Sequence, residues 1–315
     1  MRKIRSLNFN KKFLVGISFL SVGLLGSFLL DKKLEDIYAD RKFELEETLG
    51  YFLDKDVELG NYEGLRVFGI GLSNLKIIGN ENVNTKIAAK SLYVGIMPIR
   101  SFLNQKWIIN VKPKGTTFNL NKDFLKREEA ILEKTKLAIN KEKYEVNLYL
   151  KEFSNLKIKD LDIESKIKGN FKYSSESKQI SGLINSKFNN KDNLKLKFNT
   201  KLNQDSFSFQ IISKGINLRN LNFNIYNRKI ALKEGKLRSN FKFYRTPSTS
   251  YCKGNFSLNK LELRTTNLLE NINSNYLRFF CENNNLIVKT DKLKYGTLIS
   301  DFIFNVPLKN NSNNI

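Results

Sequence analysis

The residues that could perform catalysis are few in this sequence, and they do not form a known catalytic set. Histidine is absent from the 315 residues, which excludes a Ser-His-Asp triad, a histidine general base and a histidine-ligated zinc ion. Neighbouring carboxylates occur at Glu46–Glu47 and Glu128–Glu129, but both pairs lie in charged helical runs that are typical of a solvated helix face. We therefore predict that the protein is not an enzyme and has no metal site or cofactor.

Two cysteines and a pair of glycines are the remaining candidates for chemistry or ligand binding. Cys252 and Cys281 both fall in apolar alternating runs, so the sequence is compatible with a disulfide outside the cytoplasm and with two buried thiols. Gly69 and Gly71 share the spacing of a nucleotide-binding loop, but the complete G-x-G-x-x-G pattern and the P-loop are absent. We interpret these glycines as bends, or as a close approach between a strand and a helix.

The formal net charge of +23 invites a nucleic-acid interpretation, which the distribution of the charge weakens. The basic residues are spread along the whole chain and are not gathered in one helix or loop. The chain is also rich in Lys, Asn and Ile together, which suggests biased codon usage. We predict a solvated basic surface with some attraction to anionic lipid head groups, and no nucleic-acid partner.

Residues 13–30 form a long apolar run without charge or proline. As a helix with a rise of ~1.5 Å per residue, this run would measure roughly 27 Å, which matches the hydrocarbon core of a bilayer. The charged residues that precede it are all basic, so we expect a cytoplasmic tail at 1–12 and all later residues on the other side of the membrane. A cleaved signal peptide is the alternative, but the run is long and no A-x-A-like site follows it. The predicted anchor side chains are Phe13, Leu14, Val15, Ile17, Phe19, Leu20, Val22, Leu24, Leu25, Phe28, Leu29 and Leu30.

The region that follows the anchor, 31–120, begins with a predicted helix and continues as short strands. Apolar residues recur at helical spacing through 34–53, which predicts an amphipathic helix that packs on the next domain or covers one end of an open sheet. Short β-branched runs separated by Gly, Asn and Pro follow it, and Pro98 and Pro113 predict strand ends or edges. Residues 121–143 are highly charged and predict a surface helix or a partly ordered insertion.

From residue 144 to 306 the sequence alternates between apolar and polar residues. In LDIESKIKGNFKY (161–173), apolar or small residues occupy the odd positions, and charged residues or asparagine occupy the even ones. Similar runs recur about every ten residues with turn-forming residues between them, which predicts a mainly β fold with an antiparallel meander. A switch of parity between Ile158 and Leu161 is consistent with a bulge. We expect a disordered polar tail at 307–315.

About a dozen strands with one apolar face each can bury that face in three ways. They can form a closed β-sandwich, a closed barrel, or a long twisted sheet whose concave apolar face is an open groove that holds lipid chains. At ~4.8 Å per strand, such a groove would be roughly 58 Å long. Periodicity alone does not distinguish these solutions. In the open groove, the residues expected to contact acyl chains are Leu161, Ile163, Ile167, Phe171, Leu194, Leu196, Phe198, Phe207, Phe209 and Ile211.

The order of parts over roughly 10–125 resembles the N-terminal region of the AsmA-like superfamily, and within it the TamB branch (the inner-membrane subunit of the translocation and assembly module). The resemblance is carried by the order of four apolar motifs and not by any single residue. These motifs are the turn at residues 53–60, LDKDVELG; the strand positions Gly64, Leu65, Leu72, Leu75 and Ile77; the run Leu92, Val94, Ile96, Pro98, Ile99, Phe102 and Leu103; and the strand positions Ile109, Val111, Pro113 and Leu120.

The resemblance implies a single-pass protein of the inner (plasma) membrane with its bulk in the periplasm. Proteins of this kind act in outer-membrane biogenesis, either by moving phospholipid along a β-groove or by helping to insert outer-membrane proteins. The resemblance thus implies membrane lipid as a partner, together with either an outer-membrane barrel assembly protein or a missing C-terminal half. TamB proteins are much longer, and their C-terminal domain has no counterpart here, so we expect a truncated or split gene or a short relative. The alternative is a structural or adaptor β-domain on a membrane stalk, without lipid cargo.

Overall fold

The computed structural model describes residues 11–79, 82–121, 143–159, 163–188, 192–201, 206–225, 228–265, 268–282 and 285–308. One long helix, α1 (Lys11–Leu53), runs without interruption through both the predicted anchor and the predicted amphipathic helix. The side chains of Phe28, Leu29 and Leu30 are exposed, and the other predicted anchor side chains lie outside the described part. Among the described residues, no helix is both long and apolar enough to cross a membrane.

After α1 the described residues are almost entirely β, which confirms the predicted mainly β class. A second, short helix, α2 (Pro98–Leu103), interrupts the strands at Pro98, which occupies its first turn, as proline readily does. The strands are β1 (Asp56–Glu58), β2 (Tyr62–Arg66), β3 (Gly69–Gly79), β4 (Asn82–Ile96), β5 (Trp107–Lys114), β6 (Thr117–Leu120), β7 (Tyr144–Ile158), β8 (Ile163–Ser174), β9 (Gln179–Phe188), β10 (Asp192–Lys201), β11 (Ser206–Ile225), β12 (Arg228–Arg245), β13 (Ser250–Thr265), β14 (Ile272–Glu282), β15 (Asn285–Asp291), β16 (Leu293–Tyr295), β17 (Leu298–Ser300) and β18 (Ile303–Pro307).

All 18 strands belong to one sheet, in which strands pair largely in chain order. The short strands β1 and β2 both pair with β3, and β3 pairs with β4. β5 and β6 lie end to end in one strand position between β4 and β7. From β7 to β14 each strand pairs with the next, and β15 and β16 then pair with β14. β18 pairs with β15, and β17 pairs with β16.

The sheet is mixed, which corrects the prediction of a purely antiparallel sheet. β7 runs parallel to both β5 and β6, while the other recorded pairs are antiparallel. A parallel pair requires a crossover connection of roughly a dozen residues or more. The predicted insertion at 121–143 is long enough to be that connection, but all of it except its two end residues lies outside the described part of the chain.

The core is small and lies where α1 meets the first strands. Tyr38 of α1 packs with Val57, Leu59, Leu72 and Leu92. The Tyr38 hydroxyl donates a hydrogen bond of 2.8 Å to the backbone carbonyl of Gly60. A compact monomer of 36.6 kDa would expose about 13,500 Å², whereas this chain exposes 22598 Å². Within the described part of the chain, α1 packs mainly on β1 and β2 and α2 on β5, so most of the strands have no second layer of described residues against them.

The parity switch predicted between Ile158 and Leu161 falls at a hairpin, where Ile158 pairs with Ile163; Leu161 itself lies outside the described residues. The register irregularity that does occur in this pair of strands lies between Leu150 and Ser154. A bulge in β7 and a turn between β7 and β8 both change which residues face a given side, and alternation alone does not distinguish them.

Candidate functional site

The register of the sheet places the apolar positions of successive strands on one face. Residues directly opposite each other on paired strands lie on the same face. Leu196 of β10 is opposite Ile184 on one side and Ile211 on the other. Ile211 is in turn opposite Phe241 of β12. We call this side of the sheet the apolar face. Residues that are opposite each other on successive paired strands continue this face from β1 to β18.

The structure brings the predicted lipid-contacting residues together on the apolar face. Leu161 and the side chain of Ile163 lie outside the described residues, although the Ile163 backbone begins β8. The other predicted residues lie on the apolar face in three strands: Ile167 and Phe171 in β8, Leu194, Leu196 and Phe198 in β10, and Phe207, Phe209 and Ile211 in β11. β9, which sequence reasoning left out, lies between the first two of these strands.

Aromatic rings form a continuous row across the apolar face. Phe171 and Phe198 lie on either side of Gly182, with their ring centroids 6.1 Å apart. A β-carbon at Gly182 would lie 2.6 Å from the Phe198 ring, so the two rings meet because that position is a glycine. The row continues through Phe209 to Phe243, whose centroids are 5.7 Å apart.

The side chains of the apolar face are mostly half-buried by their own neighbours. Phe198, Phe209 and Ile211 are partly exposed, and Phe207 retains 37% of its accessible surface. Burial is deeper on β12, where Phe241 and Leu237 are each 7% exposed. This surface can accept apolar groups by contact, and it presents no reactive group to them.

Sequence reasoning missed the second half of this face. The strands β12 to β18 contribute this half. Their sequences alternate between apolar and polar residues, but we predicted no individual lipid-contacting residues from them. The missed residues include Phe241, Phe243, Phe256, Phe279, Val288 and Phe304.

Two polar side chains on the apolar face satisfy their hydrogen bonds locally. The hydroxyl of Ser213 donates to the carbonyl of Leu237 at 3.2 Å, and the hydroxyl of Ser239 donates to the carbonyl of Ile211 at 3.0 Å. Serine hydroxyls paired in this way with backbone carbonyls present little polarity to the surface. These two serines therefore leave the apolar character of the face intact.

The two cysteines form a disulfide on the same face. Cys252 of β13 and Cys281 of β14 are bonded, with their Cα atoms 5.7 Å apart. The structure thus selects the disulfide from the two possibilities that the sequence allows. The bond joins adjacent strands in the second half of the sheet and places no free thiol there.

The opposite face of the sheet is polar and rich in lysine. Glu145 is buried on it and is held between Lys106 and Lys172, each at 2.9 Å from its carboxylate. Burial alone would raise the pKa of Glu145, but hydrogen bonds from Lys172, Lys106 and Asn147 outweigh burial and lower it. The carboxylate therefore acts as a structural anion, and the two faces of the sheet differ sharply in polarity.

A large cavity lies at the first end of the apolar face, between α1, α2 and the strands. Its volume is about 1270 Å³, and its lining is mainly apolar, with Leu34 from α1, Phe102 and Leu103 from α2, and Ile70, Ile96 and Trp107 from the strands. Tyr62 fixes α1 beside it, because its hydroxyl donates a hydrogen bond of 2.7 Å to Asp31. Burial and this bond raise the pKa of Tyr62 to about 12. The cavity opens onto the apolar face, on which Ile70, Ile96 and Trp107 lie.

The other chemical candidates have structural roles or lie outside the described part. Glu46 accepts a hydrogen bond of 2.6 Å from the backbone of Leu59, while Glu128–Glu129 lies outside it. Gly69 sits where β3 and β4 approach closely, since a β-carbon there would lie 2.3 Å from a carbonyl oxygen of β4. This contact is between two strands and not between a strand and a helix. The described residues contain no cluster of His, Cys, Asp and Glu that could hold a metal.

Comparison with known proteins identifies no family model that matches the chain and no curated protein with significant similarity. The resemblance to the AsmA-like superfamily therefore stays a prediction.

Proposed function

We propose that this protein is a membrane-anchored β-groove protein that carries lipid acyl chains along its apolar face. In this proposal the anchor is the apolar part of α1, and the sheet extends from it into the periplasm. Phospholipid would move along the groove between membranes, as part of outer-membrane biogenesis. The observation that carries the proposal is the apolar face itself, which continues from β1 to β18, with no second sheet among the described residues.

The topology favours an open groove over a closed barrel or a sandwich. β1 and β2 lie at one end of the sheet and β17 and β18 at the other, and no pairing among the described strands joins the two ends. With about 14 strand positions at ~4.8 Å each, the sheet would extend for roughly 60 Å. An apolar surface this long is unusual for a soluble monomer unless an apolar partner covers it.

The energetics favour acyl chains as that partner. Each methylene group that leaves water gains about 0.8 kcal/mol, and the aromatic row from Phe171 to Phe243 provides a flat surface for such contacts. Chains need no directional recognition, which agrees with a face that presents Leu, Ile and Phe. The lysine-rich opposite face keeps the outside of the groove in water.

The edge of the last strand favours assistance with outer-membrane protein assembly as a second candidate function. Ile303 and Phe304 of β18 are exposed, and β18 pairs on one side with β15 and on the other with no described strand. An unpaired edge strand can add a strand from another chain. The same sheet could therefore hold lipid on its face and a client strand at its edge.

The test is site-specific photo-crosslinking of the full-length protein in native membranes. A photoreactive phenylalanine analogue replaces Phe209, which lies on the apolar face, or Gln210, which is the next residue and lies on the polar face. Mass spectrometry of the irradiated protein should show a phospholipid adduct at 209 and little or none at 210. No adduct at either position, or equal adducts at both, would contradict a lipid-carrying groove and favour the adaptor alternative.

A further inference from the structure

A group of strongly exposed apolar side chains lies at the first end of the sheet, and four of its six members, Phe68, Phe102, Leu103 and Trp107, line the cavity. We call this group the apolar rim, and it consists of Val67, Phe68, Ile99, Phe102, Leu103 and Trp107. Phe102 is 84% exposed and Val67 is 80% exposed. The rim comes from the β2–β3 turn, α2 and the start of β5, so three separate segments present apolar tips at one site. A surface of this kind on a protein marks an interaction with another apolar phase.

The position of the rim relative to α1 identifies that phase. Asp31 accepts a hydrogen bond of 2.6 Å from the backbone N–H of Leu65, at the start of the segment that leads into the β2–β3 turn. Leu34 lines the same cavity as the rim residues Phe68 and Phe102. Asp31 directly follows the apolar run at 13–30, so the rim lies at the level where that run would leave a bilayer.

The composition around the rim suits an anionic membrane surface. The segments 64–71 and 96–107, which contain the rim, have no acidic residue. They include the exposed basic residues Arg66 and Arg100, while Lys106 is paired with Glu145. Basic side chains beside exposed aromatic and aliphatic residues, and a tryptophan in particular, are typical of the membrane–water interface.

We propose that the apolar rim inserts into the outer leaflet of the membrane that α1 enters, with the basic residues among the phospholipid head groups. The cavity of about 1270 Å³ would then open directly into the acyl region of that leaflet. This inference rests on the proposed anchor and groove, and it adds a second, independent membrane contact. Its partner is the lipid surface itself and not another protein.

The chain supplies its own reporter, because Trp107 is its single tryptophan and belongs to the rim. The full-length protein is reconstituted into vesicles of phosphatidylethanolamine and phosphatidylglycerol, with or without bromine atoms near the upper part of the acyl chains. Bromine quenches tryptophan only at short range. We expect the Trp107 emission to be blue-shifted and strongly quenched in the brominated vesicles.

Two variants test whether the quenching depends on the rim residues or on exposed apolar residues in general. The triple variant Ile99→Ser, Phe102→Ser and Leu103→Ser should lose most of the quenching. The matched control, Leu298→Ser with Ile299→Ser, removes equally exposed apolar residues from the far end of the sheet and should keep it. Equal Trp107 emission in brominated and unbrominated vesicles, with the protein still floating with the vesicles, would overturn the proposal.

The quenching and crosslinking experiments together distinguish a failure of the rim proposal from a failure of the groove proposal. A lipid adduct at Phe209 together with unquenched Trp107 would overturn the rim proposal and leave the groove. Quenched Trp107 that is lost in the triple variant, without an adduct at Phe209, would support the rim and contradict the groove. Quenching that persists in the triple variant would overturn the rim proposal whatever the result at Phe209.

Discussion

The adjacent isoleucines of β11 provide a matched test of the lipid groove. Ile211 lies on the apolar face between Leu196 and Phe241, while Ile212 lies on the polar face between Lys195 and Asn240. The two residues have the same side chain, occupy the same strand and are both half-buried. Replacing either one by arginine adds the same charge and volume, so the two variants differ chiefly in which face receives the charge.

The expected effect on lipid affinity can be calculated. Arginine on a lipid-contacting β surface costs about 2–4 kcal/mol, and it stays charged because its pKa is above 12. An open groove lets the long side chain reach towards water, which favours the lower end, near 2 kcal/mol. That corresponds to roughly 30-fold weaker binding of phospholipid to Ile211→Arg. Ile212→Arg joins a polar surface, and its effect should stay within about 0.5 kcal/mol, or roughly twofold.

The assay is titration of the purified full-length protein with a fluorescent phospholipid, together with the amount of phospholipid that copurifies with each variant. Thermal unfolding of both variants checks that the sheet is intact. Equal affinity for lipid in the two variants, with both folded, would refute the assignment of the apolar face as the lipid site. A larger loss in Ile212→Arg would refute it as well.

Three further predictions concern the stability of the sheet, and denaturant unfolding of the full-length protein measures each. Tyr38→Ala should lower the free energy of unfolding by about 3 kcal/mol because it empties the α1 contact, and Tyr38→Phe, which removes only the hydrogen bond, by about 1 kcal/mol. Cys252→Ser should cost about 2–4 kcal/mol in oxidising buffer and much less once the wild type is reduced. Glu145→Gln should cost about 1.5–3 kcal/mol at neutral pH. Since the folded-state pKa of Glu145 is lowered, its stabilisation exists above its unfolded pKa and disappears as pH falls through the folded one, so the variant and the wild type should converge in acid.

The sequence predicted which residues share the apolar face better than it predicted how the strands that carry them pair. Strict alternation at 161–173 and in the later runs identified both the β class and the residues that share the apolar face, because a period of two has only one structural meaning over so many residues. It did not reveal the parallel pairing of β7 with β5 and β6. Pairing direction depends on the route of the chain between strands, and 121–143 has no pattern that defines this route.

The rim and the disulfide show a different limit of sequence reasoning. Phe68, Phe102 and Trp107 are separated in sequence, and only the fold brings them to one cavity. Pro98 was correctly expected to end a strand, but the sequence did not indicate the short helix α2 after it. Cys252 and Cys281 both followed the apolar alternation, yet whether they face each other depends on the register of β13 and β14.

The continuity of α1 connects these features into one pathway for lipid. Between the end of the apolar run at residue 30 and Tyr38, the first buried contact with the sheet, the helix rises only about 12 Å. In our proposal the groove therefore begins at the height of the lipid head groups. The rim lies in the leaflet, and the cavity lies between the rim and the groove. An acyl chain entering there would leave the bilayer without crossing water. That matters because each exposed methylene costs about 0.8 kcal/mol, so a chain of ordinary length would otherwise meet a barrier on the order of 10 kcal/mol.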